Sequence, residues 1–362
     1  MDYSSLRVVV VRENWFGCTG LSAATAMARL GASVQSVVET EFLPFAWRSI
    51  PMRIVGKLIR KPAIWELNAA LIRLTESFRP HLVLVMKGQW LYPESIRKVK
   101  DLGALCFCFY PDVSMLVHGP YIPKAIPEYN WIFTTKSFGL RDLANLFSVQ
   151  NCSYLPHGYD PDVHKPRRPG SAEEESKYGC DLSFIGGWCP SKEAILTAIA
   201  TALPDLRIKI WGSRWQNVSK GSILAPFIQY RDIYGPAYAL GVGGSKINLA
   251  LLHERVAGAS SGDQITSRTF HIPACGGFML HQRTRDLKAI FEEDVDCAAF
   301  DDASEAVERI KRFLGDERAR RAIAENGRKT VESAHSWDHR AKAILDRYLL
   351  MHSELGEMNV AR

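Results

Sequence analysis

No Cys-x-x-Cys pair and no histidine cluster at zinc spacing occur in this 362-residue chain, which excludes a zinc module or a thioredoxin-type redox motif. No apolar run is long enough to span a bilayer. The opening Met-Asp-Tyr-Ser-Ser-Leu-Arg lacks the apolar centre of a secretory signal. No G-x-G-x-x-G or Walker loop follows a strand-like run, which disfavours a nicotinamide dehydrogenase. Nothing repeats at a short fixed period, so a solenoid is excluded. Charge is not extreme either: 45 basic and 39 acidic side chains leave a net +6. That balance favours an anionic ligand or surface, and no nucleic-acid partner is expected.

Eight cysteines are present, at 18, 106, 108, 152, 180, 189, 275 and 297, several of them inside apolar runs such as Ala104-Leu105-Cys106-Phe107-Cys108-Phe109. Free, buried thiols in a reducing compartment follow, and with no span or signal a cytoplasmic location is expected.

The length suits two domains, and 47% hydrophobic with 23% charged residues is ordinary for a globular chain. Leu6–Val11 is rich in β-branched residues, with four consecutive valines from Val8 to Val11, as in a strand covered on both faces. A turn through Gly17 and Gly20 leads into an alanine-rich helix from Leu21 to Leu30. Strand-like runs at Ser33–Val38, His81–Met86, Ala104–Tyr110, Asn130–Thr135 and Cys152–Leu155 alternate with helical stretches. A second alternation starts at Asp181–Ile185, with a helix at Lys192–Ala202 and a strand at Leu206–Trp211. Beyond it, Ser245–Leu252 and Ser267–Ala274 read as helices and Phe278–His281 as a strand. Leu287–Glu292, Ala303–Phe313, Glu317–Ala324 and Trp337–Leu350 read as helices. Such alternation implies parallel sheets with helices on both faces.

The expected fold is therefore α/β, with two Rossmann-like domains facing across a cleft and a C-terminal helix near the domain junction. Residues 1–165 form the first domain, 166–179 a linker or exposed loop rich in Pro, Gly and charge, 180–336 the second domain, and 337–362 the C-terminal helix and tail. Ligands of such sheets lie outside the carboxyl ends of the strands.

Several residues have the chemistry for that edge. Gly17 and Gly20 follow the first strand and precede a helix, where backbone amides can approach an anion, although a plain turn explains them as well. Gly186 and Gly187 end a strand, and Lys192 enters the next helix, within reach of a diphosphate; a solvated surface lysine is the plainer reading. Arg268 opens a helix, the wrong end for a cation, which suggests an anionic partner or a salt bridge. His157-Gly158-Tyr159-Asp160-Pro161 is a turn at the expected junction, and with Gly17 and Gly20 it is placed on the first domain's side of the cleft. In Arg48–Lys61, Arg53, Lys57, Arg60 and Lys61 share one helical face and no acid lies between Glu41 and Glu66. That face suits an anionic membrane surface, or is simply solvated.

Leu155–Pro166 resembles the junction signature of group 1 (family 4) glycosyltransferases of the GT-B fold, and Asp181–Gly187 is similar to the opening of their C-terminal domain. Ser267–Leu280 looks most like the branch related to CgeB-type spore-maturation proteins. The resemblance implies a nucleotide-diphosphate sugar held by the second domain and a glycan, lipid-linked or protein acceptor held by the first, which makes the side of Gly17, Gly20, His157 and Gly158 the acceptor side. It implies retention of configuration and no metal or other cofactor. Lys192 matches a phosphate-binding lysine, and Arg268 is the second cation for the departing diphosphate. The family carries two glutamates with seven residues between them; here those positions are Asp263, which keeps a carboxylate for the transferred sugar, and His271, which does not keep one for the ribose. A sugar transferase is the leading expectation. His271 motivates a catalytically silent GT-B-like module that binds a sugar, nucleotide or protein, and an epimerase of the same fold is a third reading.

Overall fold

In the computed structural model, which describes residues 2–15, 17–43 and 50–360 without the side chains of 50–58 and 355–360, Val8 to Val11 are wholly buried and feed two cores alternately. Val9 and Val11 join one core and Val8 and Val10 the other, the mark of a strand covered on both faces. This strand, β1 (Arg7–Arg12), pairs with β2 (Ser33–Val38) and β3 (Leu82–Met86). The sheet continues through β4 (Leu105–Tyr110), β5 (Trp131–Thr134) and β6 (Cys152–Tyr154), in the order β2-β1-β3-β4-β5-β6, all parallel.

The unit built on this sheet comprises Met1–Pro156, Val256–Ser260 and Trp337–Arg362. The last segment is the helix Trp337–Val360, which packs along the Thr19–Arg29 helix. Trp337 meets the Phe109 ring at 5.2 Å, and Ala341, Ile344, Leu345 and Tyr348 enter the core with Val8 and Leu84. Tyr3 Oη donates to Asp346 Oδ1 (2.5 Å), and Arg29 pairs with Asp338 (2.6 Å).

The second unit comprises His157–Arg255 and Ser261–Ser336. Its strands are β7 (Cys180–Ile185), β8 (Ile208–Trp211), β9 (Ser245–Ala250), β10 (Met279–Gln282) and β11 (Ala298–Phe300). Their order is β11-β10-β9-β7-β8, again all parallel. Leu182, Phe184, Ile247, Leu249 and Leu280 meet the helices Pro190–Ala202 and Ala303–Gly315 in one core.

Three expectations need correction. Ser245–Leu252, read as a helix, is β9, bonded to both β7 and β10; a short apolar run carries no helical period strong enough to outweigh two ladders. Leu287–Glu292 is no helix: only Arg285–Lys288 makes one turn, capped by Thr284. The stretch read as a linker or exposed loop contains the helix Ala172–Tyr178, whose first turn is capped by Ser171 and carries Glu173, Glu174 and Glu175, favourable at a helix N-terminus. All eight cysteines are free, seven buried and Cys152 half-buried.

Candidate functional site

In each sheet the chain leaves the first strand to one side and returns to its other side, so β1/β3 and β7/β9 are the points where strand order reverses. Ligands of open parallel sheets sit outside the carboxyl ends there.

In the second unit, β7 ends at Ile185 and turns through Gly186 and Gly187. A side chain on Gly212, whose φ is +141°, would stand 2.1 Å from Gly186 O, so the turns after β7 and β8 touch through glycine backbone. The Pro190–Ala202 helix follows, with proline at its first position. Lys192 lies in its first turn and folds back, donating from Nζ to Gly187 O (3.1 Å). Arg268 opens the Arg268–Ala274 helix and donates from Nη2 to Leu251 O (2.6 Å), just beyond β9. Both cations lie over the Phe184 ring, Lys192 at 5.9 Å and Arg268 at 5.4 Å from its centroid.

Lys192 is only 4% exposed. Burial, then the Arg268 charge, pulls its pKa down to about 8 against the opposing pull of Cys189, Asp263 and Glu254. Burial also lowers the Arg268 pKa, and its buried Nε has no hydrogen-bond partner. Two desolvated cations beside one ring, each in the first turn of a helix, repel each other and call for an anion. Two carboxylates border them. Asp263 Oδ2 accepts from His253 N (3.3 Å), while Glu254 Oε2 accepts from Ser191 N (3.0 Å) at the start of the lysine's helix. Lys192, Arg268, Asp263, Gly186 and Gly187 are thus brought together.

His271 is held differently. Its ring stacks on His164 (3.8 Å between centroids), meets Tyr238 edge-on, and donates from Nε2 to Gly158 O (3.2 Å). Burial, then His164 and His157, push its pKa well below the usual value, so the ring is neutral. His157 and Gly158, placed on the acceptor side by the sequence, belong to the second unit and adjoin His271. Gly17 makes a turn (φ +85°), and a side chain on Gly20 would come within 2.5 Å of Arg12 Cβ; Gly20 therefore lets the Thr19–Arg29 helix lie close on β1.

The first unit has a set of charges that sequence reasoning missed. Beyond β2, Glu39 is 4% exposed and its Oε1 has no hydrogen-bond partner. Burial, then the Glu13 carboxylate beyond β1, pushes its pKa up to about 8, with Lys87 opposing. Lys87, beyond β3, pairs with Asp112 beyond β4 (2.8 Å), and His118 Nε2 lies 3.2 Å from the same carboxylate. Burial raises the Asp112 pKa, but Lys87, His118 and Lys136 outweigh it and hold it below its usual value. The available signal was positional: Lys87 directly follows the apolar run Leu82–Met86, and Asp112 lies two residues past Tyr110.

Residues 192–346 match a family described as glycosyl transferase-like. Comparison with curated proteins returns no match. Among solved structures, sucrose-phosphate synthase from Thermosynechococcus elongatus is similar at a TM-score of 0.65 and 11% identity, covering 96% of this chain and 100% of that one. A glycosyltransferase from Rickettsia africae is similar at 0.63 and 13%, covering 96% and 98%. Anabaena HepE, in complex with UDP-glucose, is similar at 0.62 and 10%, covering 94% and 100%. These likenesses show the GT-B fold. The family match is confined to residues 192–346 and covers less than half of the chain.

Proposed function

We propose that the chain transfers a sugar from a nucleotide-diphosphate donor, held by Lys192 and Arg268 of the second unit, to an acceptor held at the carboxyl edge of the first, with retention and without a metal. The observation that carries this reading is the pair of buried cations over Phe184, with Arg268 Nε unpartnered. A diphosphate would satisfy that atom and remove the mutual repulsion. As the glycosidic bond breaks, charge grows on the departing phosphate, and cations fixed in a dry site stabilise it most. Asp263, beside Lys192, would address the transferred sugar. The complexes of HepE with UDP-glucose and with UDP support a nucleotide-sugar donor, and the Ser267–Leu280 segment supports a place beside the CgeB-type branch.

Calorimetry with a panel of nucleoside diphosphates, followed by turnover of the matching donor sugar and NMR of the product's anomeric configuration, tests this. Binding with retained configuration is expected. No affinity for any nucleoside diphosphate would reject the donor site, and inversion would reject the retaining mechanism.

His271 favours a second reading, a GT-B module that binds without turning over. Its Nε2 proton is already given to Gly158 O, and it offers no carboxylate to a ribose. Donor binding with no turnover against any acceptor or water would establish that reading.

An acceptor presented at an anionic membrane surface is also proposed. Arg60 and Lys61 are exposed, although Arg60 also lies 5.5 Å over the Trp90 ring; the side chains of Arg53 and Lys57 lie outside the described residues. Among the described residues, no helix is long and apolar enough to cross a membrane, so association would rest on these charges.

A further inference from the structure

The second unit has a cavity of about 400 Å³ at the opposite edge of its sheet from Lys192 and Arg268. Ser245 and Lys246, which line it, begin β9, and Phe278 directly precedes β10. A six-residue strand spans roughly 20 Å, so this cavity is distinct from the site at the carboxyl ends. Its volume is that of a small-molecule site (about 300–1,000 Å³).

Six cations line it, Arg167, Arg168, Lys246, Arg320, Arg321 and Arg328, against two carboxylates, Glu317 and Glu325. Those carboxylates are engaged, Glu317 with Arg321 (2.5 Å) and Glu325 with Lys329 (2.8 Å). Arg320 is buried and donates to Phe313 O and Leu314 O, closing the end of the Ala303–Gly315 helix. Arg167 and Arg168 are exposed and form no ion pair among the described residues.

The segment carrying these two arginines is seated on the unit. A side chain on Gly243 would stand 1.7 Å from Arg167 O, so only glycine lets the two backbones touch there. On the opposite wall, a side chain on Gly276, at φ +73°, would stand 3.4 Å from Pro166 Cγ. The helices Gly235–Gly243 and Arg268–Ala274 end at the cavity, and their carbonyl ends attract cations. Of the six cations, Lys246 pairs with Asp181 (2.9 Å), Arg321 with Glu317 and Arg328 with Glu332 (2.7 Å), so the two helix ends, worth about 0.3–1 kcal/mol within the last turn, and these pairs leave Arg167 and Arg168 without a carboxylate among the described residues. A second hollow of about 280 Å³ shares Arg168, Gly243, Ser245 and Lys246 and adds Glu175 and Arg207, the latter paired with Asp181 (3.1 Å).

We propose that this groove is a second anion site, separate from the donor site, for a phosphorylated small molecule bearing more than one anionic group. Arg167 and Arg168 contact one group, and Arg321 and Arg328 flank the cavity from the Glu317–Ala334 helix. Charge-assisted contacts of this kind make binding strong at low salt and weak at high salt.

Inorganic pyrophosphate is the probe, titrated calorimetrically into the full chain at low salt. Because pyrophosphate also tests the donor site, the background is Lys192→Ala/Arg268→Ala. That background is expected to keep one pyrophosphate equivalent. Adding Arg167→Ala/Arg168→Ala/Arg328→Ala is expected to weaken it tenfold or more, with the circular dichroism spectrum unchanged. Should the added triple lose the fold, Arg167→Ala/Arg168→Ala alone, both exposed, serves in its place. No pyrophosphate binding in the background, or equal binding with and without the groove substitutions, overturns the groove. The Lys192→Ala/Arg268→Ala comparison with the unaltered chain reads the donor site independently.

Discussion

Lys192 and Arg268, from different helices, lie over one aromatic ring: their charged ends stand 5.9 and 5.4 Å from the centroid of Phe184. Burial lowers the pKa of both, and the Arg268 charge lowers that of Lys192 further.

This pair makes nucleoside-diphosphate affinity depend on pH. A bound diphosphate raises the Lys192 pKa from about 8, so binding takes up a proton once the free lysine begins to lose its own. Affinity is expected to be constant below that pH and to fall as pH rises above it. Each charge-assisted contact contributes roughly 1.5–3 kcal/mol, so Lys192→Ala or Arg268→Ala is expected to weaken binding about tenfold or more. Calorimetry between neutral and alkaline pH checks both; affinity that is flat with pH and unchanged in both variants would remove the pair from the donor site.

The second unit is expected to lose stability in acid. Burial lowers the pKa of His164 and of His281 to about 4, and that of His271 well below its usual value. The folded state refuses protons that the unfolded chain accepts near pH 6.5, so this contribution is complete above that pH and is lost as pH falls toward 4. The loss is up to roughly 3 kcal/mol for each ring that titrates alone. Replacing His164 by asparagine, which can still accept from Asp160 N, should flatten the acid limb of a thermal-unfolding profile. An acid limb as steep in the variant would show that other groups carry it.

Glu39 imposes the opposite dependence on the first unit. Its folded pKa of about 8 lies above the usual 4.5, so the folded state holds a proton that the unfolded chain has released. Its contribution is complete at low pH and is lost as pH rises through about 8. Glu39→Gln keeps the neutral shape and is expected to remove the alkaline loss without altering the acid limb. Unfolding profiles that superimpose above pH 8 would refute this.

The sequence places Arg53, Lys57, Arg60 and Lys61 on one helical face, which predicts salt-sensitive adhesion to vesicles of acidic phospholipid. Each exposed cation near such a surface contributes about 1 kcal/mol. Co-sedimentation at low salt, lost at high salt and lost when Arg53, Lys57, Arg60 and Lys61 are all glutamine, is the expected result. Protein left in the supernatant at low salt would make a soluble acceptor the better reading.

By itself the sequence determined the strands other than Ser245–Ala250 and Ala298–Phe300, and the turns that follow them. Val8–Val11, Leu82–Met86 and Leu182–Ile185 are too apolar to serve anywhere but inside a covered parallel sheet, and Gly186–Gly187 had to end one. Lys192 could be singled out because it enters a helix beside a glycine turn, and Arg268 because a cation at a helix start is locally out of place. Tertiary structure alone decided that they share Phe184, that His271 stacks on His164, and that Glu39, Lys87 and Asp112 gather at one sheet edge. It also made Ser245–Ala250 a central strand by supplying ladders on both sides. Local sequence fixes backbone preference and periodicity, whereas desolvation and charge pairing depend on strand order, which unites residues far apart in the chain.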